Sequence, residues 1–266
     1  MPIITQRKGT LEYLTAGGIE VPHCFTTRYG GVSERFLKSL NIGANRGDFP
    51  ENVEENYRIL GCAIGFDPTC TVLTRQTHSD IVRAVSKQDH LSLDHRDYPE
   101  CDALITNDPG TTLVVFTADC TPILLLDTVT GAVGAVHAGW RGTAADIAGK
   151  TAQKMAAAFG CEPKNIRAAI GPNIGACCFQ TDAEVPEAMV AAFGAEAEQF
   201  IRKTGEKYYL DLKQINALAL RRAGVTQIEI SGDCTMCQHH RFWSHRAHGA
   251  LRGSQGAIIV CKEGNI

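Results

Sequence analysis

The sequence has no long apolar run and no region in which charge of one sign dominates. Its longest apolar stretches, 112–116 and 123–126, fall far short of the roughly 20 residues that a membrane helix needs. The first residues place their charges after the apolar ones and form no signal-peptide core. With a net charge of −3 over 266 residues, no stretch has the lysine and arginine density that nucleic-acid phosphates require. We therefore expect a cytoplasmic globular protein that binds neither membranes nor nucleic acid.

Several motifs of common enzyme classes are also missing. There is no G-x-G-x-x-G and no G-x-x-x-x-G-K-[ST], so the dinucleotide and P-loop interpretations lack their residues. H-E-x-x-H and G-x-S-x-G are absent too, which excludes the zincin and serine-hydrolase signatures. The C-T-M-C segment at 234–237 resembles half of a deaminase zinc signature, but the upstream H-x-E and the preceding proline are lacking.

Cysteine, by contrast, is abundant, with 11 residues. The odd count and the length of the chain argue against a disulfide scaffold. Free cysteine most often packs as a small buried hydrophobe. We expect that role for Cys24, Cys62, Cys70, Cys161 and Cys261.

The order of predicted elements indicates the fold class. Short β-branched runs bounded by turn residues predict strands at 21–27, 71–73, 81–85, 103–106, 112–117, 123–127 and 132–137. A helix is predicted over 52–60. The second half alternates between helices over 143–159, 185–193 and 211–223 and strands at 166–170, 227–230 and 257–260. We expect one α/β (α+β) domain over residues 1–266, with mixed sheets flanked by helices.

One predicted hairpin brings together two residues that can bind a metal. Strands 123–127 and 132–136 are joined by four residues that end in glycine, a normal hairpin connection. If the strand ends pair, Pro122 lies opposite His137. Cys120 and His137 then meet at the open end of the hairpin.

A third ligand is available from a polar stretch earlier in the chain, which has His78 at its centre. Two histidines and one cysteine suit Zn²⁺, and three protein ligands leave the open fourth position of a catalytic site. Asp119, next to Cys120, is a candidate general base or a hydrogen-bond acceptor that fixes an imidazole tautomer. The plainer alternative is a solvated histidine near a cysteine that only packs.

The G-W-R-G-T segment at 139–143 has two interpretations. Glycine provides the backbone room that a strand-to-helix turn needs. Alternatively, the N–H groups that open the following helix and the guanidinium of Arg141 form an anion site for phosphate.

The ordered motifs resemble the bacterial laccase-domain family almost from end to end. This family is also called the multicopper polyphenol oxidase or peptidoglycan-editing-factor family, and its members are also described as purine nucleoside phosphorylases with adenosine deaminase activity. The shared motifs are TRYGGVS at 27–33, SLNIG at 39–43, GD at 47–48, QTH at 76–78, TADC at 117–120, VHAGWRG at 136–142, IGP at 170–172 and CT at 234–235.

The resemblance implies a fold and a set of site residues. The fold is one α/β domain with stacked sheets between helices. The metal ligands fall on His78, Cys120 and His137, the three residues that spacing also indicates. Asp119 and Arg141 are expected in catalysis, and Arg28 or Arg141 in holding phosphate. The residues implied to line the pocket are Arg28, Asn41, Gln76 and Arg141.

The sequence departs from the family pattern at three places. Ser79 follows the first histidine, where family members usually have glycine. The turn at 175–180 lacks the family's common glutamate. The C-terminal region is richer in metal-binding residue types than in most members, with Cys234, Cys237, His239, His240, His245 and His248.

The resemblance implies a zinc-dependent purine nucleoside phosphorylase. Phosphate attacks C1′ of adenosine or inosine and gives ribose 1-phosphate and the free base. The expected partners are therefore small molecules, a nucleoside and phosphate. Deamination at adenine C6 is a second activity implied for the same site.

The alternative is a multicopper polyphenol oxidase with Cu²⁺ as cofactor. Oxidation of phenols by O₂ needs a one-electron copper site and an imidazole-rich cluster. The chain has 9 histidines and no H-x-H pair, which excludes a laccase built of cupredoxin domains but not a family-specific oxidase. A second metal site formed by Cys234, Cys237, His239 and His240 would favour the oxidase. The competing interpretation is a packed cysteine pair beside a histidine-rich surface strand.

Two further hypotheses compete for Cys120. A non-enzymatic regulator or peptidoglycan-related partner would leave Cys120 and His137 without a function. A hydrolase with Cys120 as nucleophile, its pKa lowered by a neighbouring histidine, is the better rival. Chelation separates it from a metal enzyme, because a thiol nucleophile survives the loss of metal.

Overall fold

The computed structural model describes residues 3–91, 93 and 98–262. The strands are β1 (Ile3–Lys8), β2 (Leu11–Ala16), β3 (His23–Thr26), β4 (Thr71–Leu73), β5 (Val82–Ala84), β6 (Ala103–Thr106), β7 (Thr112–Thr117), β8 (Thr121–Asp127), β9 (Val133–Ala138), β10 (Ile166–Ile170), β11 (Gln180–Thr181), β12 (Ile201–Thr204), β13 (Lys207–Leu210), β14 (Gln227–Ile230) and β15 (Gln255–Val260). The α-helices are α1 (Pro50–Ile64), α2 (Trp140–Ala144), α3 (Ile147–Phe159), α4 (Glu184–Phe193), α5 (Leu212–Arg222) and α6 (His245–His248).

Two mixed six-stranded sheets form the centre of the fold. The first has the order β1-β2-β3-β15-β7-β4 and the second the order β14-β10-β8-β9-β6-β5. Most neighbours are antiparallel, but β4–β7, β5–β6 and β10–β14 are parallel pairs. A small third sheet has the order β11-β13-β12. The mixed α/β fold class predicted from the sequence is confirmed, whereas the extent of the domain, 1–266, stays a prediction.

The two large sheets pack face to face through an apolar layer. Phe25 and Leu113 of the first sheet and Leu104 and Leu124 of the second are at most 2% exposed and belong to this layer. Gly171, after β10, lies against the ring of Phe25, and a Cβ there would be 2.3 Å from the ring. Only glycine therefore allows the sheets to approach this closely.

Helices cover both outer faces of the pair of sheets. Val53, Tyr57 and Leu60 of α1 pack on the first sheet, and α3, α4 and α5 share a second core with the outer face of the other sheet. No helix within the described residues is long and apolar enough to cross a membrane. The molecule is thus layered as helix, sheet, sheet and helices, which is how two half-buried sheet faces each exclude water.

The chain passes from the first sheet to the second at one common edge. Residues 74–81 link β4 to β5, and residues 118–120 link β7 to β8. Because β4 and β7 are parallel neighbours, their carboxyl ends lie side by side. Both crossing segments therefore meet at the same end of the sheets, and the candidate site is built there.

Most predicted elements form close to the predicted bounds, but one predicted helix is wrong. The helix expected over 143–159 is divided into α2 and α3 by Asp146, which has a φ of +59° and accepts a hydrogen bond from the N–H of Gly149. An aspartate in this position caps the new helix. The alanine-rich sequence over 143–159 is typical of one continuous helix, so the interruption at Asp146 was not predicted.

The burial predicted for five cysteines is correct for three. Cys24, Cys161 and Cys261 are buried. Cys62 is exposed on α1 and Cys70 is partly exposed, so the prediction is wrong for Cys62. Cys62 lies on the solvent side of α1, away from the face that carries Tyr57 and Leu60.

His23 must be neutral to keep its place in the first sheet. Its Nε2 accepts a hydrogen bond from the N–H of Ala16 at 2.8 Å, and its Nδ1 lies 2.8 Å from the carbonyl of Val21. A ring that accepts at one nitrogen and donates at the other is uncharged. Burial accordingly lowers the pKa of His23 below its usual value.

We predict that this histidine makes the fold weaker in mild acid. Because its pKa is lowered by folding, its contribution is present above the unfolded pKa of about 6.5 and declines as the pH falls toward the folded value. The loss should reach about 1.4 kcal/mol per pH unit in that window. Urea unfolding of the parent and of His23→Gln at several pH values measures it. The variant should show a shallower pH dependence, and the exposed His240→Gln should behave as the parent. Equal slopes for the parent and His23→Gln would contradict the assignment.

Candidate metal centre and active site

The two crossing segments and β9 bring His78, Cys120 and His137 together. One ligand atom from each lies within 4.8 Å of the others. The Sγ of Cys120 is 3.9 Å from the Nε2 of His78, and the two imidazole centroids are 5.0 Å apart. The residues selected by spacing alone thus converge in space.

The hairpin geometry predicted from the sequence is confirmed. Asp127 donates its N–H to Ala132, and Pro122 pairs directly with His137. Cys120 precedes β8 and therefore stands beside the carboxyl end of β9. The hairpin supplies two of the three ligand atoms without any distant contact.

Both crossing segments contain left-handed backbone. His78 has a φ of +61° and Asp119 a φ of +90°. Such values are uncommon for residues other than glycine and cost on the order of 1–3 kcal/mol when held in place. These tight turns bring the side chains of His78 and Cys120 close to each other.

Asp102 holds the loop that carries His78, and this residue was not among those predicted from the sequence. Its carboxylate, which is fully buried, accepts hydrogen bonds from the successive N–H groups of Thr77, His78 and Ser79 at 2.8–3.1 Å. The Ser79 hydroxyl donates a further bond at 2.7 Å. An acidic residue immediately before an apolar strand was the available signal.

The same carboxylate fixes the second histidine. Asp102 Oδ1 lies 2.7 Å from Nδ1 of His137. A carboxylate on one ring nitrogen sets the tautomer and leaves Nε2 for a metal. Burial would raise the pKa of Asp102, but the hydrogen bonds from His137 and Ser79 outweigh it and lower that pKa to about 2.

Charge within the three-residue group favours a thiolate. Burial alone would raise the pKa of Cys120, but the neighbouring His137 and His78 lower it to about 6. Burial alone would lower the pKa of His137, but Cys120 and Asp102 outweigh it and raise that pKa to about 9. Because the thiolate is the form that binds metals, the group is prepared for a cation.

These residues fit Zn²⁺. Two imidazoles and one thiolate are ligands that zinc prefers, and three protein ligands leave a position open. His78 is exposed and Cys120 half-buried, so the open side faces solvent. Gly139 closes the other side, where a Cβ would be 2.6 Å from the His78 ring and 3.4 Å from the Cys120 sulfur.

Asp119 lies beside this group, but its carboxylate points to the C-terminal region. Oδ1 accepts the hydroxyl of Thr235 at 2.6 Å, and Oδ2 accepts the N–H of Arg246 at 2.7 Å. The hydrogen bond to an imidazole, considered for Asp119, is made by Asp102. A catalytic role for Asp119 stays a prediction.

Two residues expected to line the pocket make mainly structural contacts. Arg28 stacks over Trp243 at 3.9 Å and donates to the carbonyls of Lys38 and His239. Asn41 is fully buried, and its amide binds the backbone of its own loop and the carboxylate of Asp48. Their roles in binding substrate stay predictions.

Gln76 lines a cavity next to the three-residue group. The cavity has a volume of about 250 Å³ and a wall that includes Leu73 and Phe116. The Gln76 amide donates to the carbonyl of Phe116 and accepts its N–H, so the side chain extends the edge of β7. Gln76, two residues before His78, thus joins the cavity to the candidate metal centre.

Arginines surround this region. Arg141 is exposed and lies over Trp140 at 4.1 Å. Arg46 lines the cavity and donates to Ser254. Burial first, and then the like charge of Arg46, lower the pKa of Arg252 to about 10, while Cys120 and Asp119 oppose the shift.

Arg46 and Arg252 together form a positively charged site, because they are close enough for their charges to repel. Within the described residues, neither has a salt bridge to a carboxylate. Two half-buried guanidinium groups that repel each other would be stabilised by an anion. Neither residue was among those predicted from the sequence.

The sequence and the fold are similar to those of known proteins. The chain belongs to the multi-copper polyphenol oxidoreductase laccase family, whose family model matches residues 22–262. Purine nucleoside phosphorylase YfiH of Shigella flexneri is 38% identical over 226 residues, which cover 85% of this chain and 88% of that one. A purine nucleoside phosphorylase of Deinococcus radiodurans is 38% identical over 251 residues, covering 94% of this chain and 92% of that one.

The same relationship holds for solved structures. The crystal structure of YlmD from Geobacillus stearothermophilus superposes with a TM-score of 0.92 at 34% identity, covering 98% of this chain and all of that chain. The family predicted from the ordered motifs is therefore confirmed.

We predict that Asp102→Asn weakens zinc binding about 10–100-fold, since outer hydrogen bonds of this kind set ligand orientation. An amide can still accept from the loop, but it cannot supply the charge that orients His137. Competition with a chromophoric chelator measures the affinity. Asp80→Asn makes the same exchange in the same loop, where the carboxylate pairs with Lys150, and should leave the affinity unchanged. Parent-like affinity in Asp102→Asn would refute the role of Asp102.

Proposed function

We propose that the protein is a zinc-dependent purine nucleoside phosphorylase acting on adenosine or inosine. The observation that carries the proposal is the convergence of His78, Cys120 and His137 near a cavity that Arg46 lines, with Arg252 close enough to Arg46 for their charges to repel. Relatives that match most of the chain bear the name purine nucleoside phosphorylase. The metal centre, the apolar wall and the arginines offer separate places for a substrate oxygen, the base and phosphate.

The cavity suits the base and sugar. Its apolar wall of Leu73 and Phe116 offers a surface for a flat purine ring. Gln76 and Thr74 add polar groups on the side that leads to His78. Its volume of about 250 Å³ is below the range of roughly 300–1,000 Å³ seen for drug-sized ligands, which favours a small metabolite.

The arginines suit phosphate. Arginine binds phosphate oxygens through several donors in a fixed geometry. We assign the anion to Arg46 and Arg252, because their charges lack carboxylate partners in the described part of the chain. Arg141 and Arg28, selected from the sequence, stay further candidates for the same anion.

In the proposed reaction a phosphate oxygen forms a bond to C1′ of the ribose while the bond from C1′ to the base nitrogen breaks. The base leaves with that bonding pair and takes up a proton, giving ribose 1-phosphate and free purine. Arg46 and Arg252 hold the phosphate and offset its charge, and the cavity wall orients the base. When bound at His78, Cys120 and His137, zinc supplies a Lewis acid for an oxygen of the substrate.

Deamination of adenosine is proposed as a second activity of the same centre. It should appear as ammonia and inosine formed from adenosine without added phosphate. Mutation of His137 should abolish both activities if one centre serves both.

The oxidase alternative follows the name of the family model. Copper oxidation of phenols needs an imidazole-rich cluster. Of the two groups of possible metal ligands among the described residues, one has two imidazoles and a thiol and the other has four thiols. This donor set supports zinc over a copper cluster, and the oxidase stays the second candidate on the family's name alone.

The first test combines metal content with activity. Cys120→Ser and His137→Ala should each lose one metal equivalent per chain and essentially all phosphorolysis of adenosine, measured as ribose 1-phosphate. Cys70→Ser, in a partly exposed position outside both possible metal groups, should retain both. Full activity in either centre variant would sink the assignment, as would parent activity that survives chelation. That second outcome would instead favour Cys120 as a thiol nucleophile.

The second test concerns phosphate. Arg46→Gln and Arg252→Gln should raise KM for phosphate about 10–100-fold, the cost of a lost charge-assisted hydrogen bond of roughly 1.5–3 kcal/mol. KM for the nucleoside should change far less. Arg141→Gln is measured alongside, and Arg202→Gln on β12 is the remote control. An equal rise in both KM values would contradict the assignment to phosphate.

A further inference from the structure

Four cysteines from two separate turns lie close together, next to Thr235, whose hydroxyl binds the carboxylate of Asp119. The cluster consists of Cys177, Cys178, Cys234 and Cys237, whose sulfurs all lie within 4.8 Å of one another. The Sγ of Cys237 is 3.5 Å from that of Cys177 and 3.4 Å from that of Cys178. None of the four belongs to the centre formed by His78, Cys120 and His137.

The backbone holds the two turns in register. Asn173 pairs with Cys234 as an isolated parallel bridge, and the N–H of Thr235 donates to the carbonyl of Asn173. Gly175 has little room for a side chain, since a Cβ would be 3.2 Å from the Cβ of Cys234 and 3.3 Å from the sulfur of Cys177. The convergence of the sulfurs is thus fixed by main-chain contacts around them.

Main-chain donors also point at one sulfur. The Sγ of Cys234 accepts the N–H of Gly175 at 3.2 Å and that of Cys237 at 3.5 Å. Two N–H groups directed at one buried sulfur stabilise a thiolate over a thiol. The C-x-x-C spacing, in which the second cysteine returns its N–H to the first, is that of zinc-binding turns.

Two cationic side chains, Lys213 and Arg246, lie beside the cluster. Lys213 is buried and donates to the carbonyl of Asp233, next to Cys234. Arg246 donates to the carbonyls of Cys178 and Gln180. Four thiolates around one divalent cation carry a net charge of −2, and these two cations offset it.

The sulfur positions distinguish a metal site from a disulfide. A disulfide requires about 2.05 Å between sulfurs, far less than the distances from Cys237. A tetrahedral zinc with bonds of about 2.3 Å separates its sulfurs by about 3.8 Å. The observed separations lie close to the second arrangement.

The composition of the site differs from the one considered from the sequence. His239 and His240 do not complete the C-x-x-C pair, because Nδ1 of His239 lies 3.1 Å from the carbonyl of Met236 and neither ring belongs to the group of converging ligands in the described residues. Cys177 and Cys178 take their place.

We infer that this cluster binds one Zn²⁺ through four thiolates as a structural site separate from the active centre. The four thiols release their protons as the metal binds. With all four positions filled by protein, the site has no room for substrate. It fastens the 175–180 turn to the 234–237 turn, and Thr235 within the second turn holds the Asp119 carboxylate.

The decisive experiment counts zinc in protein purified under reducing conditions without added metal. We expect two zinc ions per chain in the parent, one in Cys237→Ser, one in Cys120→Ser and two in Cys62→Ser. Cys62 is an exposed cysteine on α1 outside both groups and provides the matched exchange. One zinc in the parent that Cys120→Ser removes would overturn the inference, and so would two zinc ions in Cys237→Ser.

A second measurement does not depend on the stability of the Cys237 variant. X-ray absorption at the zinc edge of Cys120→Ser should show a single shell of sulfur at about 2.3 Å. Nitrogen in that shell would refute the four-thiolate site. A thiol count in denaturant should give all 11 cysteines, whereas a count two lower would identify a disulfide and also overturn it.

The two proposals can fail separately. If the His78 centre holds copper or no metal, the sulfur-coordinated zinc of Cys120→Ser is unaffected. If the cysteine cluster holds nothing, the single zinc of the parent disappears in Cys120→Ser while Cys237→Ser retains it.

Discussion

The candidate active site depends on one buried carboxylate. Asp102 accepts three successive main-chain N–H groups and a hydroxyl from the loop that bears His78, and it binds His137 as well. A buried carboxylate without such partners is strongly destabilising. The buried charge of Asp102 needs hydrogen-bond donors, and both the loop and the His137 imidazole are held in place because they supply them. Without the hydrogen bonds to Asp102, nothing would offset the conformational cost of the left-handed backbone at His78.

The packing of the two sheets brings the three ligand residues to one place. The chain crosses between them twice at one edge, and each crossing supplies a ligand while β9 supplies the third. Gly139 allows the start of α2 to approach the His78 ring closely. On the opposite side of the Cys120 turn, Thr235 and Arg246 hold Asp119. The centre thus lies between packed elements on these two sides, and its open side faces solvent.

Local patterns in the sequence predicted those parts of the site that depend on local pairing. The Cys120–His137 juxtaposition follows from a short loop and the two-residue period of strands, and both are readable in the chain. Asp102 was missed because its value lies in partners that only folding brings near. Cys177 and Cys178 were missed for the same reason, since their turn reaches Cys234 through the parallel pairing of β10 and β14. His239 and His240, adjacent to the C-x-x-C pair in sequence, were considered as its partners, but they are not in the group of converging ligands among the described residues.

The position of β15 has a consequence for synthesis of the chain. This strand, residues 255–260, lies between β3 and β7 in the middle of the first sheet. Until it emerges from the ribosome, β3 and β7 each expose an unpaired edge that invites pairing with another chain. The first sheet therefore cannot close before residues 255–260 have been translated, and its folding relies on contacts between residues far apart in sequence, a topology that folds slowly. A chain that still lacks β15 is therefore open to self-association through the edges of β3 and β7.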